Sequence, residues 1–118
     1  MDNAVSWLFL VSSAPYTHGL DSDPALDMIL AAGAFGQTVS VVFTSAGVDY
    51  LSPHLVPKEG ETDMRKVLKS LPFYDIEKVY AVGQSSNSSM TESVIPHDII
   101  DRETATSLIA SADHVVTF

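Results

Sequence analysis

Ser6-Trp-Leu-Phe-Leu-Val-Ser-Ser13 is the stretch that decides how this chain folds. Trp7 to Val11 is unbroken apolar sequence, and Ser12-Ser13-Ala14-Pro15 ends it. A strand with one wet face alternates polar and apolar residues; a continuous run reads as a strand buried on both faces of a parallel sheet. Parallel strands need crossover connections, so helices are expected between this strand and the next. Downstream, Asp23 is placed as an N-cap with Pro24 at the first helical position, where its missing N–H costs nothing. That helix is expected to run to about Phe35, with Gly36 closing it.

Further strands are read at Thr38 to Thr44, Lys78 to Val82, a short piece near Val94-Ile95, and Val115 to Phe118. A turn or short helix is expected from Ala46 to Leu51. Thr62 is read as the cap of a helix with Met64, Val67, Leu68 and Leu71 inward and Arg65, Lys66 and Lys69 outward, stopped by Pro72. Asp101 to Ser111 reads as a last helix with Ala105, Leu108, Ile109 and Ala112 inward. Alternating strands and helices imply one α/β domain over residues 1–118, a flavodoxin-like three-layer sandwich of about five mostly parallel strands with helices on both faces.

Composition narrows the function. The 118 residues carry 15 acids and 6 bases, a net charge of −9, with 46 % hydrophobic and 18 % charged residues. No Lys or Arg precedes Lys58. Nucleic-acid and membrane surfaces are polyanionic, so direct binding to either is disfavoured. The chain contains no cysteine, which excludes disulfides, thiolate metal sites and thiol chemistry. The run from Trp7 to Val11 lacks a basic flank and is too short to span a bilayer, so a cytoplasmic protein is expected.

In Ala25-Leu-Asp-Met-Ile-Leu-Ala-Ala-Gly-Ala-Phe35 the one polar side chain is Asp27. A surface helix of a doubly wound domain should be polar on its outer half. Either this helix packs under a long loop, or its outer face packs on a neighbouring subunit. The second reading is preferred, with Leu26, Met28, Ile29, Ala31, Ala32 and Phe35 as the interface set.

In such sheets ligands bind beyond the carboxyl ends of the strands. Three loops qualify there, Ala14 to Asp21, Ser45 to Gly47 and Gly83 to Ser89. Tyr16, His18 and Ser45 form a candidate cleft lip with Gln84, which is a polar rim and no recognised catalytic set. A phosphate cradle needs glycines after the first strand, and that loop has Gly19 flanked by Asp21 and Asp23, which repel phosphate. Gly33-Ala-Phe-Gly36 is a helix end. No Gly-x-Ser-x-Gly elbow is present, and His18, His54, His97 and His114 lack metal-ligand spacing. Pro96-His97-Asp98 reads as a turn, and His114 as a core or edge histidine heading a buried strand. No catalytic residue, cofactor or metal is assigned.

Ser12-Ser-Ala-Pro-Tyr16 with His18-Gly19 is similar to an Ala-Pro-[His/Tyr]-Gly element of the DsrE/DsrF/DsrH-like proteins. Val41-Val-Phe43 with Ala46-Gly-Val48 resembles the TusC/DsrF branch, and Tyr74-Asp-Ile-Glu77, leading into the third strand, is the most specific match. Ala112 to Phe118 resembles the family's closing strand. The resemblance implies a cysteine-free, non-catalytic subunit of a sulfur-relay hetero-oligomer, with TusB/DsrH-like and TusD/DsrE-like paralogues as partners. Such a complex passes persulfide sulfur toward 2-thiolation of the tRNA wobble uridine, or serves sulfur oxidation. The sulfur-carrying cysteine of relatives lies in the loop after the strand corresponding to Lys78–Val82, here Gly83, Gln84 and Ser85. A homo-oligomeric DsrE-like protein is the alternative, since family members of this size also self-assemble.

Overall fold

The computed structural model describes residues 5–14, 24–52, 63–83 and 94–118. Five strands form one sheet: β1 (Ser6–Val11), β2 (Thr38–Phe43), β3 (Lys78–Val82), β4 (Asp98–Ile100) and β5 (His114–Thr117), in the order β4-β3-β2-β1-β5. Every pairing is parallel, with Phe9 beside Val41 and Val116, and Val41 beside Val79. This is the α/β architecture the apolar runs imply. β1 lies inside the sheet, between β2 and β5, where an unbroken apolar run is at home.

The helices are α1 (Pro24–Ala34), α2 (Met64–Lys69) and α3 (Arg102–Ser111), with 3-10 turns at Ser45–Leu51 and Leu71–Tyr74. The chain steps from β1 through β4 in one direction across the sheet and then returns to the far side of β1. Right-handed crossovers therefore put α1 and α2 on one face and α3 on the other. The first face holds the main core. Phe9, Val11, Val41, Phe43, Leu26, Ile29, Tyr50, Leu51, Leu68, Leu71 and Ile76 are all buried there. On the α3 face Leu8 and Val42 are buried under a helix that buries only Ala105.

Helix ends follow local chemistry. Gly36 sits at φ 78°, its N–H bonds the Gly33 carbonyl at 3.0 Å and the Gln37 N–H bonds the Ala32 carbonyl at 3.2 Å. That is a Schellman end, and only glycine reaches the left-handed geometry without strain. The cap of α2 is Asp63, not Thr62: its carboxylate accepts the Arg65 N–H at 3.0 Å, a stronger interaction at a helix start than a hydroxyl offers. Asp101 caps α3 in the same way, accepting the Thr104 N–H at 2.8 Å. The Asp23 cap lies outside the described residues.

Two strand expectations need correction. Val94-Ile95 is not a strand. The Val94 N–H bonds the Leu51 carbonyl at 3.0 Å and Ile95 turns into the core, while the strand begins later at Asp98. The last strand is not buried: among the described residues it is an edge strand, with His114, Val115 and Thr117 exposed. Among the described residues no helix is long and apolar enough to cross a membrane.

Candidate functional site

The carboxyl edge of the sheet is the first place to look. After β1 the Ser12 N–H and hydroxyl both donate to the Phe118 carbonyl, at 2.8 and 2.9 Å, closing the crevice between β1 and β5. After β2 the Thr44 N–H donates to the Val11 carbonyl at 2.9 Å. Ser45 then takes φ 53° and is exposed. The turn can follow β1 this closely because residue 47 is glycine; a Cβ there would run into the Val11 carbonyl. After β3, Gly83 is half-buried and donates its N–H to the Ile100 carbonyl at 3.2 Å.

Of the expected lip and loop residues, Ser45 and Gly83 are therefore placed at this edge, beyond β2 and β3. Tyr16, His18, Gln84 and Ser85 lie outside the described residues. The described edge offers hydroxyls and the carboxylates of Asp49 and Asp101, the latter engaged as the cap of α3, and no imidazole, since His97 precedes β4 and His114 opens β5 at the opposite end of the sheet. His97 Nδ1 lies 3.1 Å from the Ile95 carbonyl; the bend falls at Val94-Ile95 and Asp98 already opens β4, so Pro96-His97-Asp98 leads into the strand and is not the expected turn. Among the described residues no group of three or more His, Cys, Asp or Glu could hold a metal ion.

The second place is α1. The structure divides the interface set. Leu26 and Ile29 are 1 % and 0 % exposed and belong to the core, so they offer nothing to a neighbour. The physical reason is helical period: residues three apart share the face turned to the sheet. Met28, Ala31 and Phe35 lie on the outer side and are exposed, Phe35 at 82 %, and Ala32 is half-buried between the two. Because α1 packs over β1 and β2, no described helix covers the strip of sheet along β1 and β5. The result is an apolar groove of about 440 Å³ walled by Trp7, Phe9, Met28, Ala31, Ala32 and Phe35. Its floor is ordered by aromatic contacts: Trp7 lies 4.6 Å from the His114 ring and 6.2 Å from Phe9.

A third feature is the corner at Leu71–Glu77, whose Tyr74–Glu77 part carries the family resemblance and whose Phe73 the sequence does not single out. Leu71–Tyr74 turns tightly and Asp75 takes φ 61°, which presents Phe73 at 88 % and Tyr74 at 38 % exposure. Leu71 and Ile76 on either side are buried, so the corner is anchored while its rings stand out. Beside it, Lys66 and Lys69 are exposed, whereas Arg65 is held by Asp63 at 3.0 Å. That ion pair keeps the Asp63 carboxyl below its ordinary range, the Arg65 side chain being the main cause.

The profile of the DsrE/DsrF-like family matches residues 6–118. The chain belongs to that family. It is 26 % identical over 116 residues to a TusC homolog of Pseudomonas aeruginosa, covering 95 % of this chain and 97 % of that one. The crystal structure of the ychN protein from E. coli superposes with a TM-score of 0.79 at 18 % identity, over 97 % of this chain and 99 % of the other. The fold of this DsrE/DsrF-like chain is thus shared with an experimental structure along nearly its whole length. The TusC likeness has the same reach. The corner at Tyr74–Glu77 and the glycine turn at Ala46–Val48, two of the family-like stretches, are both places where backbone geometry limits the residue: Asp75 is left-handed and Gly47 lies against β1.

Proposed function

We propose that this chain is a non-carrier subunit of a sulfur-relay assembly. The observation that carries the proposal is the chain-long likeness to a TusC homolog in a sequence without a single thiol. Sulfane sulfur travels between proteins as a cysteine persulfide, and this chain has no residue able to take it. The carrier cysteine then belongs to a partner, of the TusD/DsrE-like kind, with a TusB/DsrH-like chain completing the assembly. The sulfur is directed toward 2-thiolation of the tRNA wobble uridine. The contribution of this chain is surface. The outer side of α1, with Met28, Ala31 and Phe35 beside the groove, is the packing face, and Gly83, at the carboxyl end of β3, marks the start of the loop where relatives carry their cysteine. Exposed apolar side chains gathered beside one groove support a packing role.

The test is co-expression with TusB- and TusD-like relatives. The expected result is a stable complex that transfers sulfur from persulfide-loaded carrier to acceptor and loses activity when this chain is omitted. If the relatives never co-purify with it, the proposal fails.

A further inference from the structure

α3 lies loosely on the sheet. It buries only Ala105, and Leu108 and Ile109 in its second half stay half-buried. The residues beneath it account for the gap. Ser40 pairs with Leu8 and Lys78, and Val42 pairs with Tyr80, so the face that buries Leu8 and Val42 also carries Ser40, Lys78 and Tyr80. Ser6 and Thr38, paired with each other two residues earlier, share that face. A helix-covered face of a parallel sheet is ordinarily apolar. Here the central strand, β2, puts two hydroxyls under a helix. Between the layers, at the amino ends of β1, β2 and β3, a cavity of about 260 Å³ opens, roofed by Leu108, Ser111 and Ala112 at the end of α3.

We propose that this cavity binds a small monocarboxylate bearing hydroxyl groups. In a chain of 15 acids and 6 bases, the cavity is lined among the described residues by Lys78 and by no acid. Lys78 has no ion pair among the described residues, and the hydroxyls of Thr38, Ser40 and Tyr80 have no hydrogen bond among them. The Ser6 and Ser111 hydroxyls are already engaged, by Asp113 at 3.2 Å and by the Leu108 carbonyl at 3.0 Å. An ammonium only donates and a hydroxyl donates or accepts, so the free groups suit an acceptor-rich ligand with a negative end.

Two features hold the ligand to a single charge. The roof is the last turn of α3, whose carbonyls form the negative end of the helix. The Asp113 carboxylate stands beside the cavity on Ser6. Against these, one lysine accommodates a carboxylate and not a phosphate dianion, for which the lining offers no arginine fork and no helix N-terminus. Spacing supplies the hydroxyls. Paired residues on neighbouring strands lie about 4.8 Å apart and residues two apart on one strand about 6.6 Å apart. A carboxylate held by Lys78 and Ser40 therefore does not reach Thr38, whereas hydroxyls along a short carbon chain do, with the carbons against Leu8, Leu108 and Ala112. The site is on the opposite face of the sheet from α1 and is independent of the relay reading.

The test uses the isotope-labelled full-length protein, titrated at constant ionic strength with sodium gluconate and sodium glycerate and followed by backbone amide shifts. Both are expected to move Thr38, Ser40, Lys78, Tyr80 and the last turn of α3 saturably, and gluconate to bind more tightly than hexanoate, inorganic phosphate or neutral glucitol. Lys78→Gln, at an exposed site, is expected to weaken gluconate about tenfold or more, the worth of a hydrogen bond to a charged group. Ser40→Val is expected to abolish binding while the urea midpoint holds or rises, because valine is the better strand former and the serine hydroxyl bonds nothing in the described fold. If Ser40→Val fails to fold, Lys78→Gln alone decides. A Lys78→Gln protein that binds gluconate as the parent does overturns the proposal. So does phosphate or glucitol binding the same residues as tightly as gluconate, or the lack of a saturable shift with either hydroxy acid.

Discussion

Replacing Gly47 with alanine tests whether the turn after β2 is pinned to β1. The added Cβ would meet the Val11 carbonyl oxygen and come within 2.7 Å of its carbon, both backbone atoms. β1 cannot yield, because it is paired to β2 on one side and β5 on the other. The turn must lift instead. That breaks or stretches the bond from the Thr44 N–H to the Val11 carbonyl and the one from the Gly47 N–H to the Thr44 carbonyl, both 2.9 Å. Each is worth about 1 kcal/mol net. Crowding in a packed site adds about 1–3 kcal/mol, felt here by Tyr50 and Leu51, which the same turn holds in the core. The sum is about 3–5 kcal/mol, a large share of the roughly 5–15 kcal/mol available to a domain. Urea denaturation followed by circular dichroism should show a midpoint lowered by about 2 M at a typical slope near 2 kcal/mol per M. Ala46→Gly, exposed in the same turn, is the control and should cost no more than about 1 kcal/mol. A Gly47→Ala protein within about 0.5 kcal/mol of the parent would show that the close approach is not a constraint and refute the reasoning.

Gly33→Ala sets helix propensity, which favours alanine by about 1 kcal/mol, against the contact with Ile76 and the Tyr74 carbonyl. Ile76 is 1 % exposed and has nowhere to go, so a net loss of about 1 kcal/mol is expected in the same urea experiment; a gain would mean that the corner moves freely. Ile29→Ala should cost about 2–5 kcal/mol because the side chain is fully buried, whereas Phe35→Ser should leave stability within about 0.5 kcal/mol and change association. Equal effects on stability would reverse the assignment of the two faces. Asp113 accepts from the Ser6 N–H at 2.9 Å and the Ser6 hydroxyl at 3.2 Å, and these bonds, the backbone one first, lower its pKa below the ordinary 3.8. Asp101 is lowered by Thr104 and Asp63 by Arg65. A lowered folded-state pKa means that the unfolded chain takes up the proton first, so the stability these groups contribute is present above about pH 4 and lost as the pH falls below it. Asp113→Asn should therefore lower the melting temperature at pH 7 and leave a shallower fall on acidification; an unchanged acid limb would remove Asp113 from the account.

The sheet was legible in the sequence because its inner strands announce themselves. Runs such as Trp7 to Val11 and Val39 to Phe43 are dominated by apolar residues, and β3 contains the whole apolar run Val79 to Val82 and ends with it. The misreadings fall at the edges. β4 has three residues and opens on Asp98, while the apolar pair Val94-Ile95 before it serves the core from a bend. Apolar content reports burial, and burial does not require a strand. β5 carries the right residues for a covered strand and lies uncovered, because α1 packs over β1 and β2 and stops short of it. Nothing local to Val115 or Val116 records how far a helix near the other end of the chain extends over them.

The same division explains the site. The lack of polar residues in α1 was a property of its composition and could be read directly; which residues face out depended on the helix phase relative to the sheet. That phase places Leu26 and Ile29 inward and leaves Met28, Ala31 and Phe35 over the groove. Phe73 carried no such signal, since an aromatic between Pro72 and Tyr74 reads equally as a core plug. Only the turn geometry, with Leu71 and Ile76 taking the buried places, turns it outward. The carboxyl edge, where an α/β sheet ordinarily keeps its chemistry, shows in its described part hydroxyls without an imidazole beside them. The apolar surface lies instead along α1. Under the relay reading, a chain with no thiol and an apolar flank contributes by holding other chains in place. Its selective constraints should then fall on Gly47, Asp75 and the outer residues of α1 rather than on any nucleophile.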